Sequence, residues 1–134
     1  MNIEILIQKA IKAMENSYSP YSNFKVGAAL LAQNGEIFTG CNVENAGYSA
    51  TNCAERTAFF KAVSEGVTTF NSICVVGGKN GVLENFTAPC GICRQVMVEF
   101  CKDDFKIILA TSTDNYKIYT LKELLPMAFG PNNL

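Results

Sequence analysis

The 134-residue chain contains no histidine. That absence removes the Ser-His and Cys-His pairs of nucleophilic catalysis, and it obliges any zinc site to be built from thiolates, with carboxylates as the other choice. An excess of positive charge is also missing, since 11 Lys and Arg stand against 12 Asp and Glu. Long nucleic acids demand a basic field, so no nucleic-acid polymer is expected as a partner and a small substrate fits better. No apolar run approaches the roughly 20 residues needed to span a bilayer. Met1-Asn2-Ile3-Glu4 offers no positively charged leader. No membrane partner is therefore expected, and the expected location is the cytoplasm. Repeats, low-complexity tracts and linker-like Pro/Gly/Ser stretches are lacking too, which favours a single domain over residues 1–134.

What is present suits a packed core, because 49% of the residues are apolar. Ile3, Leu6, Ile7, Ala10, Ile11 and Met14 recur at helical spacing behind Asn2, which predicts an opening helix with Asn2 as its N-cap. Residues 24–33 and 36–42 are β-prone and flank Asn34-Gly35, a dipeptide suited to the positive φ angles of a two-residue hairpin turn. A second helix is expected over 53–65, ended by Gly66, then a short strand over 73–76 before a Gly-rich loop. After Pro89 a third helix over 90–101 leads into a strand over 106–111. A strand, a crossover helix and a second strand imply parallel pairing. Residues 116–120 supply one more strand, and Thr120 with Glu123 forms a capping box for a short last helix that stops near Pro126. The sum is an α/β fold, a three-layer α/β/α sandwich on a mixed sheet of about five strands.

Six cysteines without a secretion signal point to metal-binding or catalytic use rather than a disulfide framework. Cys53-Ala54-Glu55 and Pro89-Cys90-Gly91-Ile92-Cys93 each place thiols at a predicted helix start. There, unpaired N–H groups and the helix dipole favour thiolate, the form that binds metal. The i, i+3 spacing sets Cys90 and Cys93 on one helix face, and Cys53 supplies a third ligand if the two helix starts meet. Three protein ligands leave the fourth tetrahedral position of zinc for water, the arrangement of a catalytic site. Glu55, curling over the first turn, would carry the proton. Three thiolates against Zn²⁺ leave a net charge of −1, and Arg56 is the nearest cation to offset it by donating hydrogen bonds to the sulfurs, with Arg94 as a second choice. A structural zinc module remains open, with Cys41, Cys74 or Cys101 as fourth ligand, as does redox use of Cys90 and Cys93. Otherwise those three cysteines read as small core residues.

With Cys-Ala-Glu at 53–55 and Pro-Cys-Gly-Ile-Cys-Arg-Gln at 89–95, the chain resembles the cytidine deaminase family, in its short, homotetrameric form with an all-cysteine zinc site. Ser-Pro-Tyr-Ser-Asn-Phe-Lys-Val-Gly-Ala at 19–28, Gly-Cys-Asn-Val-Glu-Asn-Ala at 40–46 and Leu-Leu-Pro-Met-Ala-Phe at 124–129 extend the likeness along the chain. The resemblance implies one zinc ion per chain and hydrolytic deamination of cytidine and 2′-deoxycytidine in pyrimidine salvage, with Glu55 moving protons from water to the base and the departing ammonia. It implies that Asn42 and Glu44 hold the sugar hydroxyls, that Phe24 lies against the pyrimidine, and that Ala54 lines the substrate site. It further implies a homotetramer in which Phe129 packs over a neighbour's site and Tyr48 lies near a subunit contact. A deaminase of a cytosine-bearing nucleoside antibiotic uses similar motifs, but Glu44 favours an ordinary ribose. An editor of cytosine in RNA or DNA is disfavoured by the neutral charge balance.

Overall fold

A computed structural model describes residues 2–134. Helix α1 (Ile3–Met14) turns Leu6, Ile7, Ala10 and Met14 inward, and the Asn2 side chain accepts a hydrogen bond from the Ile5 N–H, as the spacing predicts. Strands β1 (Phe24–Ala32) and β2 (Ile37–Cys41) pair antiparallel, from Gly27 opposite Cys41 to Leu31 opposite Ile37. Their turn is one residue longer than expected. The Ala32 N–H donates to the Glu36 carbonyl and the Gly35 N–H to the Ala32 carbonyl, leaving a three-residue loop in which Gly35 alone takes a positive φ of 92°. Asn34 instead accepts the Glu36 N–H on its side chain. The same dipeptide serves both turn lengths, so it fixes the hairpin and not its loop.

Helix α2 (Ala54–Ser64) is followed by β3 (Phe70–Lys79), helix α3 (Gly91–Phe100), β4 (Lys106–Ser112), β5 (Asn115–Thr120) and helix α4 (Leu121–Leu124). The third strand is much longer than the predicted 73–76 and includes Gly77 and Gly78. The cause is tertiary: β1 pairs with it from Phe24 opposite Lys79 to Ala32 opposite Phe70, and that ladder overrides the weak strand preference of glycine. β3 and β4 run parallel across α3, and β5 closes the sheet antiparallel to β4, giving the order β2-β1-β3-β4-β5. Thr120 and Glu123 form the expected capping box at α4.

Alternation along the strands divides the core between two faces. Ala29, Cys74, Val76, Ile108 and Ala110 meet α1 on one side. Ala28, Leu30, Ile73, Val75, Ile107 and Leu109 lie on the other, with Ala54, Ala58, Phe59 and Ala62 of α2 and Cys93 and Met97 of α3. The layers are thus α1, the mixed sheet, and α2 with α3, as expected. Gly40 of β2 lets α2 sit close: a Cβ there would lie 2.5 Å from the Ala54 carbonyl oxygen, at the very turn that carries the first cysteine motif.

Phe59 anchors this second core. It is fully buried, with Phe70, Phe100 and Phe105 at ring-centroid distances of 5.0, 6.3 and 6.1 Å. Phe59→Ala removes the common member of these pairs and is expected to cost about 3–5 kcal/mol of stability, read as a lower urea midpoint with little change in slope. An unchanged midpoint would show that this cluster contributes little.

Candidate active site

The two predicted metal motifs meet where α2 and α3 begin. Cys53 and Cys90 are the N-caps of these helices, and Cys93 lies three residues into the second. The Sγ atoms of Cys53 and Cys90 are 3.6 Å apart and those of Cys90 and Cys93 3.5 Å, with all three inside 4.8 Å of one another. Tetrahedral zinc with sulfurs at roughly 2.3 Å requires sulfurs about 3.8 Å apart, so the three thiols fit the ion after small adjustments. The Cys93 N–H points at Cys90 Sγ, at 3.5 Å. Hydrogen bonding from the Cys93 thiol, then from Arg56 and Cys90, draws the Cys53 thiol down to about 5 against the opposing effect of burial. Cys93, which donates that bond, is pushed the other way.

The remaining cysteines stay outside the group. Cys74 packs on the opposite face of the sheet against α1, and Cys101 caps the far end of α3. Burial pushes both thiols up to about 12, so they remain protonated and poor metal ligands. Cys41 ends β2, and burial raises its thiol as well. Among the described residues, then, no fourth cysteine closes the site.

Glu55 is 3% exposed and its carboxylate turns back to its own backbone N–H at the start of α2, as a side chain curling over the first turn must. Burial pushes its pKa up to about 7, which suits a group that both takes and gives a proton near neutrality. Arg56 Nη2 donates to Cys53 Sγ at 3.3 Å, so the cation named from charge balance reaches a metal thiol. Its Nε is buried without a hydrogen-bond partner. Arg94 goes elsewhere: Nε donates to the Pro89 carbonyl at 2.7 Å and Nη1 to the Leu124 carbonyl at 2.6 Å, tying α3 to α4.

A strap beside the thiols carries the other candidates. The Tyr18 N–H donates to the Asn42 carbonyl, the Glu44 N–H to the Tyr18 carbonyl, and Val43 exchanges two hydrogen bonds with Asn52, next to Cys53. Asn42 is buried, and its amide continues the β1 ladder: Oδ1 accepts from the Val26 N–H at 3.0 Å and from the Ser17 hydroxyl, while Nδ2 donates to the Phe24 carbonyl at 2.8 Å. Nδ2 carries a second hydrogen for which the described residues supply no further acceptor. Glu44 accepts from the N–H groups of Tyr21 and Ser22 at 2.9 and 3.2 Å and from the Ser22 hydroxyl. The Ser22 hydroxyl, foremost, holds its carboxyl below the usual carboxylate range.

Phe24 is 38% exposed, an aromatic surface open to a planar ligand, and Ala54 is fully buried at the first position of α2. Phe129 and Tyr48 are 59% and 82% exposed. Gln95 Nε2 donates to the Phe129 carbonyl, so the backbone is held while the ring faces outward. Sequence reasoning missed three supports. Ser17 and Ser22 hold Asn42 and Glu44, and Thr57 Oγ1 lies 3.0 Å from the Cys41 carbonyl and 3.2 Å from the Cys53 carbonyl, joining β2 to α2. Ser22 lies inside the quoted 19–28 motif, which was a usable signal; Ser17 and Thr57 had none.

Residues 1–109 match the family model described as "Cytidine and deoxycytidylate deaminase zinc-binding region". The cytidine deaminase of Sporosarcina psychrophila is 49% identical over 134 residues, covering 100% of this chain and 96% of the relative. That of Halalkalibacterium halodurans is 48% identical over 134 residues, covering 100% and 98%. Among solved structures, the cytidine deaminase of Burkholderia pseudomallei aligns with a TM-score of 0.88 and 46% identity over 96% of this chain and 100% of that one.

Proposed function

Because the chain belongs to the cytidine and deoxycytidylate deaminase family, we propose that it hydrolyses cytidine and 2′-deoxycytidine to uridine and 2′-deoxyuridine with release of ammonia, a reaction of pyrimidine salvage. The observation that carries this reading is the cluster of three thiols with a buried glutamate two residues from one of them and an arginine on the same sulfur. Cys53, Cys90 and Cys93 would hold one zinc ion. When bound, zinc supplies Lewis acidity that makes water a nucleophile near neutral pH.

The chain's own residues do the rest. Glu55 takes a proton from the attacking water and delivers it to N3 of the ring as oxygen adds at C4. It then passes the second proton of that water to N4, so that ammonia leaves and the carbonyl forms. Water and cytidine in, uridine and ammonia out, balance with no other reactant. A carboxylate kept out of solvent, with its pKa near 7, can make both transfers without a large penalty in either direction. Phe24 lies against the base beside Ala54, and the free Nδ2 hydrogen of Asn42 with the Glu44 carboxylate receives the sugar.

Residues 1–134 act as one catalytic domain in this proposal, and the working form is a homotetramer in which Phe129 covers a neighbour's site. Among the described residues no helix is long and apolar enough to cross a membrane, and a cytoplasmic enzyme is part of the same proposal. Removing metal with a chelator should abolish cytidine turnover, and adding zinc back should restore it. Activity that survives with no metal bound would overturn the reading.

Arg56 has a testable share. Its hydrogen bond to Cys53 would lower that sulfur's electron donation and so preserve the Lewis acidity that zinc would supply there. Arg56→Gln is expected to retain zinc, to lower turnover by about ten-fold or more, and to move the acidic limb of the kcat/KM profile to higher pH, because the water then ionises later. A normal profile with normal turnover would assign Arg56 to packing alone.

A further inference from the structure

The loop before β1 contains a hydroxyl held between a donor and an acceptor of the chain. Ser22 Oγ accepts the Phe24 N–H at 3.0 Å and also touches Glu44 Oε2. An N–H only donates and a carboxylate only accepts, so the Ser22 proton must point at Glu44. The loop is itself anchored: the Asn23 N–H donates to the Ser19 carbonyl at 3.0 Å, and the Asn80 N–H to the Asn23 carbonyl. Asn23 takes a left-handed φ of 57°, which asparagine tolerates.

The consequence falls on Glu44. A carboxylate has about four acceptor positions. Tyr21 and Ser22 fill two on Oε1 with their N–H groups, and the Ser22 hydroxyl fills one on Oε2. One acceptor position on Oε2 remains, and its direction is set by the Ser22 proton. The same hydroxyl accepts the backbone N–H of Phe24 while Asn42 Nδ2 donates to that residue's carbonyl, so Phe24 is held on both sides of its Cα. Ser22 therefore joins the residue that receives the sugar to the residue that faces the base.

We infer that Ser22 is a positioning residue for the ribose end of the substrate, its hydroxyl aiming the open acceptor of Glu44 at a sugar hydroxyl while fixing Phe24. This rests on the proposed contact between Glu44 and the sugar. Its loss should weaken nucleoside binding and leave the proton transfers of Glu55 untouched.

Steady-state kinetics on zinc-loaded protein test it, with cytidine and 2′,3′-dideoxycytidine as substrates and Ser22→Ala, Ser22→Thr, Ser22→Cys and Glu44→Gln as variants. Ser22→Ala should raise KM for cytidine about ten-fold. Its kcat should stay within about two-fold. The increase should be much smaller with the dideoxy substrate, which lacks the 2′ and 3′ hydroxyls that Glu44 would receive, so that only the share transmitted through Phe24 remains. Ser22→Thr, which keeps the donor, should stay near the parent, and Ser22→Cys, a weaker donor, should fall between even if the alanine variant folds poorly. If Glu44→Gln raises KM for cytidine while Ser22→Ala does not, or if Ser22→Ala harms both substrates equally, the role of Ser22 is overturned and the sugar contact stands. If Glu44→Gln leaves KM for cytidine unchanged, the sugar contact itself is wrong and the role of Ser22 falls with it.

Discussion

Glu55→Gln should purify folded and with its zinc, bind nucleoside, and turn cytidine over at least about a thousand-fold more slowly. The amide is nearly isosteric with the carboxyl and still forms hydrogen bonds, but it cannot take a proton from water and hand it on. Glu55 is 3% exposed, so bulk water has poor access to do the transfer in its place. Asp at the same position is the informative companion. It keeps the chemistry but withdraws the carboxylate by one methylene, so it should fall between the parent and Glu55→Gln. Near-normal turnover by zinc-loaded Glu55→Gln would remove this residue from the reaction.

Cys53→Ala, Cys90→Ala or Cys93→Ala should each lose the metal and reduce cytidine turnover to background. The three sulfurs lie within 4.8 Å of one another, and removing any one leaves two thiols, too few protein ligands for a stable zinc site. The matched changes Cys41→Ala, Cys74→Ala and Cys101→Ala should keep one zinc per chain, measured by atomic emission on dialysed protein. Cys74→Ala, which trims a fully buried side chain under α1, should cost stability of about 1 kcal/mol and no metal. If a variant of Cys41, Cys74 or Cys101 released the metal, a closed four-thiolate site would replace the open one.

Features set by short-range chemistry were legible before any fold was known. Asn2 caps α1, Thr120 and Glu123 cap α4, and Cys90 with Cys93 share a helix start, because each depends on residues within one turn. Arg56 was named from charge arithmetic alone and does lie on Cys53. Features that depend on what arrives from far along the chain were not legible. β3 runs through Gly77 and Gly78 because β1 pairs along its full length, and no local preference announces that. The anchoring of Asn42 is of this kind, since its amide is held by Phe24, Val26 and Ser17, residues 16 to 25 positions away. Arg94 follows Cys93 directly but serves Pro89 and Leu124, since the position of α4 is a tertiary matter.

The most direct test is a single assay on the unaltered protein carrying one zinc per chain. Cytidine is added, and the fall in cytosine absorbance is followed together with ammonia. The expected result is loss of the cytosine band with equimolar ammonia and uridine, at a rate proportional to zinc content. Full zinc occupancy with cytidine left intact and no ammonia released would contradict the central claim that the thiol cluster and Glu55 form a nucleoside deaminase.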